Sequence, residues 1–291
     1  MSQRLSRKGH PLLLVMLLAI ALVLAALPYR KALFPVNKSL KQVALELDGH
    51  YQIFRPDGAG PFPAVLVYHG CGGPSAGLAE PRGDWLRKQG YVAIMVDSFT
   101  GRLLTERDVC NGYALWGSER AADVLASLDY ARQLPYVDAS RLALLGYSHG
   151  GWAVLDVLAH GAESKAEGDE LKPSLAGVRA VSTFYPYCEF PARFRYQWKV
   201  AMPVLSLLAG EDSMVNTRAC VEVLGKWRQQ GLPIDVEVYS GVDHGFDGPT
   251  SMNTWNREVA NKALQSLAGF LARHLKELHP PASEEKRAAS L

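Results

Sequence analysis

The sequence lacks the features that mark several classes of protein. It has only four cysteines in 291 residues and a single long hydrophobic run, which excludes a disulfide-stapled miniprotein and a polytopic membrane protein. Hydrophobic residues make up 48% of the chain and charged residues 21%, a composition that a disordered protein does not have. There is no internal repeat and no Gly/Ser-rich linker. These absences predict one globular domain after the hydrophobic run.

The excess of positive charge is small and belongs to one end of the chain. The formal net charge is +2, yet residues 1–31 alone carry five basic residues and no acidic one. The rest of the chain carries 26 basic against 29 acidic residues and is slightly acidic. A nucleic-acid-binding domain needs a basic surface. We therefore expect no nucleic-acid partner.

The long hydrophobic run covers Pro11 to Leu27 without a charge. Seventeen residues form a helix of about 25 Å, against about 30 Å for a bilayer core. No clear A-x-A cleavage site follows. We predict that residues 1–31 form an uncleaved signal anchor, one N-terminal helix in the membrane; a cleaved signal peptide is the alternative. Residues 32–277 are then the exported domain, periplasmic or extracytoplasmic (secreted after cleavage), and 278–291 a polar tail.

The body of the chain alternates strand and helix patterns, which predicts an α/β fold with a mostly parallel, eight-stranded sheet flanked by helices. Val43–Leu47 and the following strand are expected to pair as an edge hairpin. The predicted strands are Val43–Leu47, Tyr51–Phe54, Ala64–Tyr68, Val92–Val96, Leu142–Gly146, Val178–Phe184, Val204–Ala209 and Ile234–Tyr239. The predicted helices are Asp84–Gln89, Glu119–Arg132, Gly151–His160, Thr217–Gln230 and Asn253–Leu275.

Ser148 is the candidate nucleophile. It lies in Gly146-Tyr-Ser148-His-Gly150, between a predicted strand and a predicted helix, which is the context of a nucleophile elbow. The serine needs a tight turn to project its hydroxyl, and small residues on both sides allow strand and helix to approach. The alternative is that Ser148 merely caps a glycine-rich helix start.

The partners of a nucleophilic serine are expected after later strands. His244, in the loop after the last predicted strand, is the candidate general base. Asp212 follows the strand Val204–Ala209 and is the candidate acid that orients His244, with Glu211 as the weaker choice. This gives the chain order Ser, Asp, His that accompanies nucleophile elbows of this type.

The loop Tyr68-His-Gly-Cys-Gly-Gly73 predicts an oxyanion hole. Attack on a carbonyl creates an oxyanion that needs two preorganised N–H donors. We assign them to the backbone N–H groups of Cys71 and His149. The same loop nearly fits a dinucleotide-binding motif, but Ser75 stands in place of its third glycine. His69 lacks the companion motifs of a zinc site, so we expect no metal and no cofactor.

Taken together, these segments resemble the dienelactone hydrolase family of the α/β-hydrolase superfamily, over roughly residues 43–275. The resemblance rests on the glycine loop and the three motifs above and on Asp97-Ser-Phe-Thr-Gly101. It places the nucleophile, acid and histidine of the family on Ser148, Asp212 and His244. The founding members have cysteine as nucleophile and an arginine shortly after the histidine; this chain has serine and no such arginine. The resemblance therefore implies a serine esterase acting on neutral or bulkier esters or lactones.

The function predicted from the sequence is a serine hydrolase that cleaves small-molecule carboxylic esters or lactones through an acyl-enzyme. A serine peptidase or acyltransferase with the same triad, and a non-catalytic binding protein on the same scaffold, remain alternatives. The connection from Asp97 to Trp116 is expected to lie over the site, with Arg102 and Arg107 as possible substrate contacts and His69 as another. Cys71 is expected to be free. Cys188 and Cys220 are expected to form a disulfide, favoured by an oxidising compartment.

Overall fold

The computed structural model describes residues 11–26, 38–160, 175–249 and 254–276. The chain divides into two compact units, Met1–Val36 and Asn37–Leu291. In the first unit, helix α1 spans Pro11–Ala26, and its side chains from 12 to 24 are exposed. No helix in the described ranges is both long enough and apolar enough to cross a membrane. The predicted membrane anchor is therefore not supported; its residues 1–10 and 27–31, and the tail 278–291, lie outside the described residues.

The described part of the second unit contains a seven-stranded sheet rather than the predicted eight strands, in the order β1-β3-β2-β4-β5-β6-β7. β1 is antiparallel to β3, and the other neighbouring pairs are parallel. The strands are Tyr51–Phe54 (β1), Phe62–Tyr68 (β2), Val92–Val96 (β3), Val137–Tyr147 (β4), Val178–Phe184 (β5), Val204–Ala209 (β6) and Ile234–Tyr239 (β7).

The missing strand is a helix. Val43–Leu47, predicted as an edge strand, belongs to helix α2 (Leu40–Leu47). The Ser39 side chain accepts the Gln42 N–H while the Gln42 side chain accepts the Ser39 N–H, a capping box that starts the helix. Leu40, Val43 and Leu47 are buried, at a spacing that puts them on one helical face. The predicted hairpin is therefore wrong, and β1 instead forms the sheet edge by pairing with β3.

Helices cover both faces of the sheet. The described α-helices after α2 are α3 (Ala76–Lys88), α4 (Glu106–Cys110), α5 (Gly117–Gln133), α6 (His149–His160), α7 (Thr217–Gln229) and α8 (Arg257–Leu275). Leu86 and Leu271, from α3 and α8, share a hydrophobic cluster with Val65 and Val67 of β2. Side chains alternate along a strand, so Tyr68 points to the opposite face, where its hydroxyl bonds to Ser127 of α5 at 2.8 Å.

Candidate active site

Ser148 lies in the tight turn between β4 and α6. Its φ is +51°, in the left-handed region that residues other than glycine rarely adopt. A Cβ on Gly146 would lie 2.5 Å from the Gly150 carbonyl oxygen, and one on Gly150 would lie 2.3 Å from the Tyr68 carbonyl oxygen. Both glycines are thus required by close backbone approach. The strained serine is held by the sheet itself, because its N–H donates to the Phe184 carbonyl at 2.9 Å.

His244 and Asp212 are brought together from two loops. The Nδ1 atom of His244 lies 2.8 Å from Oδ2 of Asp212. The Asp212 side chain is fully buried, and its other oxygen accepts the N–H groups of Met214 and Val215 at 2.9 and 2.8 Å. Glu211, the weaker candidate, is exposed. A carboxylate held in this way can accept the Nδ1–H of His244, an arrangement that directs Nε2 away from Asp212.

Asp243 is a positioning residue that the sequence reasoning missed. Its carboxylate accepts the backbone N–H of Ser213 at 2.7 Å, the Ser213 hydroxyl at 2.9 Å and the N–H of His244 at 2.6 Å. The bond from the Ser213 N–H is the main cause of a lowered pKa of the Asp243 carboxyl. Asp243 thus clamps the loop that carries Asp212 to the loop that carries His244. The only sequence feature that points to Asp243 is its position immediately before His244.

A buried ion pair anchors the tyrosine that packs against the ring of His244. Tyr185 follows β5 with a φ of +36°, and its ring centroid lies 4.3 Å from that of His244. The Tyr185 hydroxyl donates to Asp247 at 2.5 Å, and Arg82 donates to the other oxygen of Asp247 at 2.7 Å. All of these side chains are at least nine-tenths buried. Their arrangement depends on packing across the fold and has no local sequence signature.

The glycine loop after β2 passes over Ser148. A Cβ on Gly70 would lie 3.4 Å from Cβ of Ser148. The Cys71 N–H therefore belongs to a segment beside the nucleophile, as an oxyanion donor must. The expectation that Cys71 is free is wrong, because Cys71 forms a disulfide with Cys110. Cys110 ends α4, a helix not predicted in the connection after β3, and this helix places the two Cα atoms 5.0 Å apart.

His69 and Arg102, named as possible substrate contacts, are both occupied within the protein. His69 is buried: its Nε2 accepts the Ser98 N–H at 3.2 Å, and its Nδ1 donates to the Gly70 carbonyl at 2.7 Å. The Arg102 guanidinium bonds to Glu46 and to both oxygens of Asp123, with its side chain 7% exposed. These hydrogen bonds engage both side chains within the protein, so a role for either in binding substrate stays a prediction. Arg107 is exposed.

His149 has its side chain turned away from solvent. It is 7% exposed, and its Nδ1 accepts a hydrogen bond from Nη1 of Arg120 at 3.2 Å. Arginine only donates, so the Nδ1 atom of His149 carries no proton. Burial, together with the Arg120 charge, holds the pKa of His149 well below its usual range. The same two causes depress the pKa of His69. Both imidazoles beside the glycine loop are therefore neutral.

Of the two contacts that a Ser148–His244–Asp212 triad requires, the structure contains the one between His244 and Asp212. Within the described ranges, the hydrogen bonds do not include one between the Ser148 hydroxyl and His244. Catalytic hydrogen bonds of this kind often tighten only when substrate is bound. In the part of the chain that the structure describes, no group of three or more His, Cys, Asp or Glu side chains is placed to hold a metal ion.

Comparison with known proteins identifies the family. The family model for the dienelactone hydrolase family matches residues 50–275. The chain belongs to the dienelactone hydrolase family. A protein of Aquifex aeolicus (strain VF5) with the provisional name carboxymethylenebutenolidase is 22% identical, covering 74% of this chain and 89% of its own length.

The fold of this dienelactone hydrolase family member is also that of solved structures. Native esterase 2 of the planctomycete Thermogutta terrifontis matches with a TM-score of 0.61 at 16% identity, over 85% of this chain and 95% of its own. The same esterase phosphorylated by paraoxon matches with a TM-score of 0.58 at 16% identity, over 77% of this chain and 88% of its own. At these identities the likeness establishes an α/β-hydrolase-like fold.

The second disulfide of this family member joins Cys188 to Cys220, the pair expected from the sequence. Cys188 lies in the segment after β5, and Cys220 lies in the first turn of α7. Tyr187, the residue before Cys188, donates its backbone N–H to the Ser148 carbonyl at 3.3 Å. The disulfide thus fixes a segment that touches the elbow.

Proposed function

We propose that this member of the dienelactone hydrolase family hydrolyses carboxylic esters or lactones through an acyl-enzyme on Ser148. The observation that carries the proposal is the buried Asp212 carboxylate 2.8 Å from Nδ1 of His244, in a fold whose elbow projects Ser148. A histidine oriented in this way accepts a proton at Nε2. The membership of the family supports the same chemistry.

In the proposed reaction, the Ser148 oxygen attacks the ester carbonyl carbon while its proton passes to Nε2 of His244. The carbonyl oxygen becomes an oxyanion, which accepts the backbone N–H groups of Cys71 and His149. When the tetrahedral intermediate collapses, the bond to the leaving alcohol breaks and His244 returns the proton to it. Water then repeats the sequence on the acyl-enzyme, releasing the acid and restoring Ser148.

The surroundings of Ser148 favour neutral acyl groups. The buried ring of Trp152 lies 5.3 Å from that of His149 and 5.1 Å from that of Tyr187, so the side chains packed next to the elbow here are aromatic. Arg102, a candidate for binding a substrate carboxylate, is already paired with Glu46 and Asp123. A carboxylate that leaves water needs a charged or polar donor, which neither of these groups offers, whereas an uncharged acyl group does not. We therefore expect esters of uncharged acids to be the better substrates.

We also propose that the catalytic domain works in an oxidising compartment outside the cytoplasm. Its support is the two disulfides, because disulfides persist in oxidising compartments and are rare in the cytosol. Alkylation of the protein in its native cells, before and after reduction, tests this. Four thiols that react without reduction would contradict it.

The test of the proposed activity is labelling with a fluorophosphonate, followed by mass spectrometry of the labelled peptide. The organophosphate adduct of the structurally similar esterase makes this probe appropriate. We expect one adduct on Ser148, no labelling of Ser148→Ala, and normal labelling of Ser240→Ala, a control at an exposed loop serine.

A panel of nitrophenyl esters and a nitroanilide, assayed with the same proteins, separates esterase from peptidase activity. Labelling on another residue, or full esterase activity of Ser148→Ala, would overturn the proposal.

A further inference from the structure

We propose that Arg120 is a positioning residue that holds both halves of the oxyanion hole in place, an inference that rests on the function proposed above. Arg120 lies on α5 and is 0% exposed. Arg120 forms no hydrogen bond with Asp212 or His244, so it does not belong to the proposed triad. Its contacts lead instead to the two segments that carry the proposed donors.

The guanidinium of Arg120 joins the ends of three adjacent strands. Nη1 donates to the His69 carbonyl after β2 at 2.7 Å and to the His149 ring after β4 at 3.2 Å. Nε donates to the Ser98 hydroxyl after β3 at 2.9 Å. The planar fork of arginine can satisfy three separate acceptors in fixed directions, which the ammonium of lysine cannot. One buried side chain thus sets the spacing between the glycine loop and the elbow.

These contacts extend to the Cys71 donor through His69. The Ser98 N–H and the Gly70 carbonyl occupy the two ring nitrogens of His69, at 3.2 and 2.7 Å. The Gly70 carbonyl and the Cys71 N–H belong to one planar peptide and point in opposite directions. Fixing the carbonyl therefore fixes the direction of the Cys71 N–H. Arg120 holds both the His69 carbonyl and the side chain of Ser98, so it anchors this arrangement at two points.

Arg120 also brings a positive charge, and among the described residues no carboxylate forms a direct ion pair with it. Burial lowers the pKa of its guanidinium to about 10, which leaves it protonated at neutral pH. The carboxylate of Asp123, one turn along α5, has both oxygens bonded to Arg102. Within the described ranges, the buried Nη2 of Arg120 has no hydrogen-bond acceptor. A fixed cation beside the donors favours the charged tetrahedral intermediate over the neutral ester.

Substitution of Arg120 should therefore affect the transition state more than substrate binding. For Arg120→Met, which keeps an apolar stem, we expect kcat to fall about 100-fold, the loss typical of one oxyanion donor. KM should change by less than about 2-fold, because the ground-state ester does not need the donors. Arg120→Lys keeps the charge but loses the fork, and we expect an intermediate loss of about 10-fold in kcat.

The experiment measures kcat, KM, the melting temperature and the inhibition constant of phenylboronic acid, whose serine adduct is tetrahedral and anionic. Arg132→Met is the matched control, since Arg132 lies on the same helix and its Nη2 donates to the Ala176 carbonyl. The proposal expects the boronate constant to rise in parallel with the loss of kcat in both Arg120 variants. It also expects neither to move in Arg132→Met.

Two results separate failure of this inference from failure of the proposed function. If either Arg120 variant shows a lower melting temperature but wild-type kcat and boronate affinity, Arg120 is only structural and the inference is wrong. If Arg120→Met does not fold, Arg120→Lys decides by the same criterion. If Ser148→Ala retains the wild-type esterase activity, the proposed function fails and the inference falls with it.

Discussion

The two sides of Ser148 are built with opposite charges. On the proton-transfer side, His244 is held by two carboxylates, Asp212 at Nδ1 and Asp243 at its backbone N–H. On the oxyanion side, the glycine loop and His149 are held by the Arg120 cation. During acyl transfer a positive charge develops on the histidine and a negative charge on the carbonyl oxygen. In the proposed mechanism, each side therefore carries the fixed charge that would stabilise its own part of the transition state.

Histidine serves two purposes around Ser148. His69 and His149 are buried next to Arg120. Burial and the Arg120 charge both lower the pKa of these histidines, so both rings are neutral and each keeps one tautomer. His244 is as well buried, but its Nδ1 faces a carboxylate. The neighbouring charge, rather than exposure, separates a structural histidine from a candidate base.

The largest expected effect is the removal of His244. We expect His244→Ala to lower kcat by about 10⁵- to 10⁶-fold, because loss of the base leaves Ser148 without activation. His149→Gln should cost only about 10-fold, since the proposed donor is its backbone N–H and not its ring. Steady-state kinetics on a nitrophenyl ester measure both. Equal losses of kcat in His244→Ala and His149→Gln would contradict the assignment of His244 as the base and of the His149 ring as structural.

Asp212→Asn should have the second largest effect, a loss in kcat of about 10⁴-fold. The amide can still reach Nδ1 of His244, but it offers no negative charge and favours the wrong tautomer. Glu211→Gln is the matched control, because Glu211 is the exposed neighbour. It should stay within about 2-fold of the wild type. A larger loss in Glu211→Gln than in Asp212→Asn would reverse the assignment of the acid.

The sequence pattern names the three residues of the proposed proton-transfer side, whereas it names only part of the contacts that hold the proposed oxyanion side. Strand ends followed by Ser148, Asp212 and His244 are local patterns, and parallel strands bring their ends to one edge. The roles of Arg102 and Arg120 depend instead on which helix packs over which loop. The sequence offers Arg102 as a possible substrate contact in a long connection, yet its side chain is buried between Glu46 and Asp123. For Arg120, the sequence pattern indicates only a place in a predicted helix.

Errors in the fold have similar causes. The segment Val43–Leu47 is a short apolar run, for which strand and helix patterns overlap. The capping residues Ser39 and Gln42 carried the missing helix signal. The pairing of Cys71 with Cys110 depends on the path of the connection that contains α4. Cysteine spacing alone does not determine such a path.

Asp243→Asn should have a moderate effect that depends on pH. We expect kcat to fall about 10-fold, because the clamp between Ser213 and His244 loses its charge. The pKa of Asp243 is lowered in the folded protein, chiefly by the Ser213 N–H. Its contribution to stability is therefore complete well above the unfolded pKa of about 3.9 and is lost as the pH falls toward the lower folded value.

Urea unfolding of the wild type and Asp243→Asn between pH 7 and pH 3 measures this dependence. The stability difference between the two proteins should shrink as the pH falls. Asp235→Asn, at an exposed carboxylate on β7, is the control and should show no such trend. A difference that stays constant down to pH 3 would contradict the role of the Asp243 charge.

The smallest expected effect on activity comes from removing a disulfide. One disulfide precedes Ser148 in the sequence and the other follows it. Cys71–Cys110 fixes the loop that carries a proposed donor, whereas Cys188–Cys220 fixes the segment after β5 to α7. The disulfides close loops of similar length, with sequence separations of 39 and 32. Each should therefore contribute about 2–4 kcal/mol to the free energy of unfolding.

Serine replacement of either pair should lower the melting temperature by a similar amount. The Cys71→Ser/Cys110→Ser protein should also lose activity, about 3- to 10-fold in kcat with KM unchanged, because this disulfide holds the residue that carries a proposed oxyanion donor. The Cys188→Ser/Cys220→Ser protein should lose less, because Cys188–Cys220 acts on the Ser148–His149 peptide only through the Tyr187 N–H. A wild-type kcat in Cys71→Ser/Cys110→Ser would mean that Arg120 and His69 suffice to hold the loop.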